Sequence, residues 1–101
     1  MTTRYEWNPD KAARNLRKHG VSFENAAQVF DDPLAMATLN GYVDGEERWQ
    51  MIGRAGKAGM LFVVHLWWEE EFEGEPVEAI RIISARGATA SERRSYERQA
   101  R

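Results

Sequence analysis

The chain predicts an α+β fold with elements in the order β-α-α-β-β-β-β-α, and three observations carry that expectation. Apolar residues recur at helical spacing between residues 9 and 31, and helix-start signals return at Thr89. Between these stretches lie β-branched and aromatic runs punctuated by Asn-Gly, Asp-Gly and a Gly-rich segment, the pattern of consecutive strands. No repeat or linker interrupts the 101 residues, so 1–101 reads as a single domain.

A short extended start, Arg4 to Trp7, leads into Asn8-Pro9-Asp10. Asn8 suits an N-cap, Pro9 the first helical position and Asp10 the positive end of the helix dipole. This helix runs to about His19 and ends at Gly20, with Ala12, Ala13 and Leu16 on its narrow apolar side. Ser22 caps a second helix in which Phe23, Ala26, Ala27 and Phe30 form the buried stripe, and Asp31-Asp32-Pro33 stops it.

Leu34 to Leu39 predicts a strand, Asn40-Gly41 and Asp44-Gly45 predict turns, and Glu46 to Gly53 alternates with Trp49 and Met51 on one side. Gly53 to Gly59, GRAGKAG, is a turn and not a phosphate-binding loop, because the spacing to Lys is wrong and no helix follows. Met60 to Trp68 is apolar at almost every position, which suits a central strand covered on each side. Glu69 to Pro76 reads as a solvated acidic hairpin tip, and Val77 to Ala85 as the last strand. Thr89 caps the final helix with Glu92 three residues on, the spacing of a capping box. Apart from Ala90, Tyr96 and Ala100 that helix is polar, so burial holds it weakly.

Composition narrows the classes. Hydrophobic residues at 43% and charged residues at 30% lie in the ordinary globular range, and four Trp, four Phe and three Tyr supply bulky core filler. Without cysteine there is neither a disulfide framework nor thiol chemistry. With no signal peptide and no apolar run near ~18 residues, a cytoplasmic protein with no membrane contact is expected.

The net charge of −2 hides a segregation along the chain. Residues 1–19 carry five Lys/Arg against two acids, residues 20–80 three against twelve, and residues 81–101 six against two, or +3, −9 and +4. If the basic ends meet in space they form a surface fit for nucleic acid or an acidic partner; if they pair with the acidic middle, the charge cancels. The final segment, AIRIISARGATASERRSYERQAR, sharpens the question. Arg81 sits among Ile80, Ile82 and Ile83, and Arg86 follows at the strand's end, where a planar fork of donors suits phosphate. Arg94, Arg98 and Arg101 lie on one side of the helix beyond, a surface for docking or merely a solvated face.

Several blocks occur in order that resemble one family: KHGVS followed by FENAAQVFDDP, then GEERWQMIGR, then RIISARGAT with ER and YE after it. From Tyr5-Glu6-Trp7-Asn8 through Tyr96-Glu97 the chain resembles the BrnT toxins of bacterial type II toxin–antitoxin systems. The resemblance implies a RelE-like fold, a small antiparallel β-sheet flanked by an N-terminal helix pair and a C-terminal helix. It implies ribonuclease activity that arrests translation, and a cognate antitoxin of ribbon-helix-helix type through which alone the protein would meet DNA. Two departures stand out. Gly87 occupies a position where the family often has a further basic residue, and the acidic tip from Glu69 to Glu78 is longer than usual.

An RNA endonuclease of this kind needs charge stabilisation at phosphorus and help with proton transfer, while the 2′-hydroxyl acts as nucleophile. Arg81 and Arg86 are the leading cations and Arg48 a third; His19, Glu47 and Tyr96 are candidates for proton transfer, and Lys18, Arg93 and Arg94 for RNA contact. Each has an ordinary reading too. His19 can cap its helix, Glu47 can pair with Arg48 or Arg81, Tyr96 can anchor the final helix and Lys18 can be solvated. His65, inside MLFVVHLWW, reads as a hydrogen-bonded core histidine sharing a face with Leu61, Val63 and Trp67. Two histidines 46 positions apart and no thiol speak against a metal centre, and Ser84 lacks a nucleophile elbow, so no cofactor is expected. The competing class is a non-enzymatic module that binds nucleic acid or protein with the same surface.

Overall fold

The computed structural model describes residues 2–100. The elements are β1 (Thr2–Glu6), α1 (Pro9–His19), α2 (Phe23–Ala27) with a 3-10 turn at Gln28–Asp31, β2 (Met36–Val43), β3 (Glu46–Arg54), β4 (Met60–Phe72), β5 (Glu75–Gly87) and α3 (Ala90–Gln99). Arg101 lies outside the described residues. One five-stranded sheet has the order β1-β5-β4-β3-β2. β2 to β5 form an antiparallel meander, but β1 pairs parallel with β5, from Thr2↔Val77 to Glu6↔Arg81. The sheet is therefore mixed where an antiparallel one was expected. Turn chemistry dictates direction only between consecutive strands, and β1 and β5 are the first and last.

Local signals set most boundaries. Asn8 Oδ1 accepts from the Asp10 and Lys11 amides, and Gly20 closes α1 at φ 71°. The buried residue of α1 is Asn15, however, while Leu16 is 51% exposed. Asn15 Nδ2 donates to the Val21 and Ala85 carbonyls at 3.0 and 2.8 Å, and its Oδ1 accepts from the Ala85 amide at 3.1 Å. A polar side chain satisfied three ways can be buried, and this one ties the end of α1 to the end of β5.

The strands run longer than the apolar runs suggested. β2 continues through Asn40-Gly41, which forms a bulge and not a turn, with Asn40 Nδ2 donating to Gln50 Oε1. The hairpin closes instead at Asp44-Gly45, both at positive φ, as the β4–β5 hairpin closes at Glu73-Gly74. The acidic residues 69–78 are thus mostly paired backbone, which needs no burial once each ladder bond is made.

α1, α2 and the 3-10 turn cover one face of the sheet, where Phe23, Ala26 and Val29 pack on Leu61, Val63, Ile80, Ile82 and Ala85. Gly53 permits this approach, since a Cβ there would lie 2.9 Å from Val29 Cγ1. The other face is covered at one end only, where Tyr96 of α3 packs with Ile52 and Met60.

Candidate active face

Strand alternation decides which arginines share a surface. Ile80 and Ile82 face α1 and α2, so Arg81 projects from the opposite face, paired with Leu66. Arg86 pairs with Phe62, which packs with Tyr96 on that same opposite face. Arg48 precedes Trp49, whose partner is His65 on the helix-covered face, so Arg48 also projects from the open one. The three leading arginines thus lie on one sheet face, with Arg81 and Arg86 roughly 15 Å apart along β5.

Both β5 arginines are held by carboxylates. Arg81 bonds Glu6 through Nε and Nη2 at 2.7 Å, and Arg4 links Glu6 to Glu70 across the sheet. Arg86 grips Glu92 with Nη1 and Nη2 at 2.8 and 2.9 Å, donates to the Gly87 carbonyl, and lies 4.1 Å from the centre of the Phe62 ring. The Arg86 bond holds the Glu92 carboxyl below its ordinary value, and Arg4 with Arg81 does the same for Glu6. A guanidinium has five N–H donors. Arg81 keeps its end-on fork, and Arg86 keeps Nε–H with one Nη2 proton, so each retains a two-donor edge for an anion. Arg48 carries a buried Nε without a hydrogen-bond partner among the described residues.

The fold also sorts charge along the strands. The β3–β4 connection with Arg54 and Lys57, the end of β5 with Arg86, and the start of α3 with Arg93 and Arg94 share one end of the sheet, because Arg54 pairs with Met60 and Leu61 with Gly87. Asn15 brings the C-terminal turn of α1, with Lys18 and His19, toward that end as well. At the other end lie Asp44, Glu46 and Glu47 in one hairpin and the glutamates of residues 69–78 in the next. The basic termini therefore meet in part: the end of α1 lies beside the end of β5, while Arg4 pairs with Glu70 of the acidic middle.

The predicted site residues accordingly divide. Arg86, Lys18, His19, Arg93 and Arg94 belong to the basic end, Arg81 and Arg48 to the open face toward the acidic end, and Glu47 to the acidic hairpin. Glu47 pairs with neither Arg48 nor Arg81; with Arg81, Trp49 and Trp67 it lines a cavity of about 970 Å³ between the two hairpins. Tyr96 is 2% exposed, and its hydroxyl donates to Asp32 Oδ2 at 2.8 Å. Burial and the Asp32 bond raise its pKa, so it anchors α3. Asp32 also accepts from the Leu34 and Arg54 amides; these donors outweigh burial and hold its carboxyl below the ordinary range.

His65 is buried on the helix-covered face as expected, edge-on to Phe30 with ring centres 4.8 Å apart. Its Nδ1 has no partner among the described residues, and desolvation, opposed by a smaller contribution from the Val63 backbone, lowers its pKa to about 4. Sequence reasoning missed Glu6 and Glu92 as the clamps of the two arginines. The capping box pointed at Glu92, but only as a partner of Thr89.

Among the described residues, no group of three or more His, Asp or Glu side chains could hold a metal ion, and no helix is long and apolar enough to cross a membrane. No curated protein sequence matches the chain. The fold is similar to the crystal structure of the Brucella abortus ribonuclease toxin, BrnT, with a TM-score of 0.53 and 20% identity over 88% of this chain and 99% of that one. A family model described as "Ribonuclease toxin, BrnT, of type II toxin-antitoxin system" matches residues 7–92. That match spans most of the chain, from α1 through the whole sheet beyond β1 to the first turn of α3, and the protein belongs to the BrnT family of ribonuclease toxins of type II toxin–antitoxin systems.

Proposed function

We propose that the protein is a metal-independent RNA endonuclease that inhibits translation and is neutralised by a cognate antitoxin of ribbon-helix-helix type. One observation carries this reading: Arg81 and Arg86 project from the same open sheet face, each fixed by a carboxylate on one edge and keeping a second edge for a phosphate. Donors fixed before the reaction stabilise a phosphorane-like transition state without the cost of ordering them. Arg48 offers a third cation on that face, while Lys18, Arg93 and Arg94 at the basic end draw in the rest of the RNA. Glu6 and Glu92 remain ionised well below neutral pH beside these arginines, which keeps both guanidinium groups oriented. In this reading the charge stabilisation comes from arginine.

The test is incubation of the purified protein with single-stranded RNA in EDTA. The expected products end in 2′,3′-cyclic phosphate. Binding without cleavage would favour the non-enzymatic module, and cleavage only after divalent metal is restored would remove the arginine-led mechanism. Regulated expression alone should arrest growth and translation, with rescue by an adjacent ribbon-helix-helix gene.

A further inference from the structure

The β3–β4 ladder stops at Trp49↔His65, whereas β4 continues to Phe72 in pairing with β5. Residues 66–72 of β4 therefore have no strand on their β3 side, although they lie in the middle of the sheet order. The two hairpins splay apart there, and the gap is the cavity of about 970 Å³ walled by Glu46, Glu47 and Trp49 on one side and Trp67, Glu69 and Arg81 on the other. Trp49 and Trp67 also line a second cavity of about 300 Å³, with Phe30, Met51 and His65 behind them. His65 is 4% exposed, and its Nδ1 is unpartnered.

An open backbone edge accepts a further strand, and an aromatic pocket beside it accepts that strand's side chain. Charge selects the occupant. Glu6, Glu46, Glu47 and Glu69 line the larger cavity against Arg81 alone, and Arg81 already pairs with Glu6. Around the paired Arg81, such a wall favours lysine or arginine. It also disfavours edge-to-edge pairing with a second copy, which would bring the same glutamates together.

We propose that this cleft takes an extended, basic segment of a partner protein, which pairs with β4 at residues 66–72 and places an apolar side chain in the pocket of Phe30, Trp49, His65 and Trp67. Because Arg81 forms part of the wall, the docked segment covers it and inhibits RNA cleavage. The inhibition rests on the RNA-cleaving reading; the docking does not.

The probe is a synthetic ten-residue peptide alternating lysine with valine and leucine, added to the full-length protein and followed by amide hydrogen exchange and tryptophan fluorescence. The peptide should slow exchange in the 66–72 segment at least tenfold. The same peptide with glutamate for lysine, or with N-methylated alternate amides, should not. The exposed double variant Glu46→Lys/Glu69→Lys should weaken the lysine peptide at least tenfold while leaving the thermal transition in place. Trp67→Ala should weaken it through the pocket instead. Unprotected amides with the lysine peptide, or binding indifferent to Glu46→Lys/Glu69→Lys, would overturn the proposal. Protection of the same amides by an RNA oligonucleotide, or by concentrating the protein alone, would overturn it in favour of nucleic acid or a second copy. Cleavage is scored separately: protected amides with undiminished cleavage retain the docking and remove only Arg81 from the reaction.

Discussion

Arg86 and Glu92 face each other in a two-point ion pair, at 2.8 and 2.9 Å, that joins the last residues of the sheet to the first turn of α3. The same Glu92 carboxylate accepts from the Thr89 amide at 2.8 Å, so one side chain caps the helix and orients the arginine. The position of Arg86 is therefore coupled to the docking of α3.

Glu92→Gln separates these two tasks, because glutamine still serves a capping box but no longer neutralises Arg86. Stability to urea should fall by about 1 kcal/mol, the scale of a partly exposed charged pair. RNA affinity should rise at the same time, with a steeper dependence on salt, because the freed cation meets phosphate. The two measurements moving in opposite directions is the diagnostic result.

Tyr96→Phe removes one donor to Asp32 and leaves the ring in place. It should cost about 1 kcal/mol in urea denaturation and change RNA cleavage less than threefold, since the hydroxyl is buried and engaged by Asp32. Asp32→Ala should cost more, about 2–3 kcal/mol, by stranding the Leu34 and Arg54 amides as well. Loss of cleavage in a stable Tyr96→Phe protein would return Tyr96 to the mechanism.

Acid should destabilise the fold through His65. Its pKa is lowered from 6.5 to about 4 by desolvation, so the unfolded chain binds a proton in that window and the folded chain does not. The linked stability is full above pH 6.5 and falls as the pH drops toward 4, by about 3 kcal/mol in all. In His65→Phe this part of the loss should vanish, which urea titrations at pH 7, 5.5 and 4.5 would show.

Arg81→Gln and Arg86→Gln should each lower single-turnover RNA cleavage about 100-fold or more, the usual loss for a charge-stabilising donor. His19→Gln should change it less than threefold, because His19 ends a helix docked on the other face of the sheet. Lys18, Arg93 and Arg94, replaced singly by glutamine, should each reduce the salt slope of RNA binding by about 0.7.

Gly87 offers a gain of function. A Cβ there meets nothing within 4 Å, so Gly87→Lys should fold normally and restore a basic group beside Arg86. Its RNA affinity at low salt should exceed that of the parent protein, read by fluorescence anisotropy, with the difference shrinking as salt is raised.

The legible parts of this protein were those decided within a few residues. Asn8, Gly20, Ser22 and the Thr89–Glu92 box marked helix ends because a cap bonds its own first or last turn. In the folded sheet, alternation sets Arg81 opposite Ile80 and Ile82 for the same local reason. Asn40-Gly41 misled because a dipeptide's turn preference yields when the flanking strands keep pairing across a bulge. Leu16 misled because the contact that docks α1 is polar and comes from Asn15.

The sequence by itself determined the kinds of elements, their order, the family and the residue types at hand for phosphate chemistry. Tertiary structure alone decided that β1 runs parallel to β5, that Glu6 clamps Arg81 from 75 positions away, and that Asp32 receives Tyr96 from 64 away. It alone brought the end of α1 beside the end of β5 and opened a cleft at the acidic end. Propensity and capping are properties of neighbours in the chain, whereas these pairings depend on which strand edges meet, and that is settled only when the whole sheet closes its hydrogen bonds over a common core.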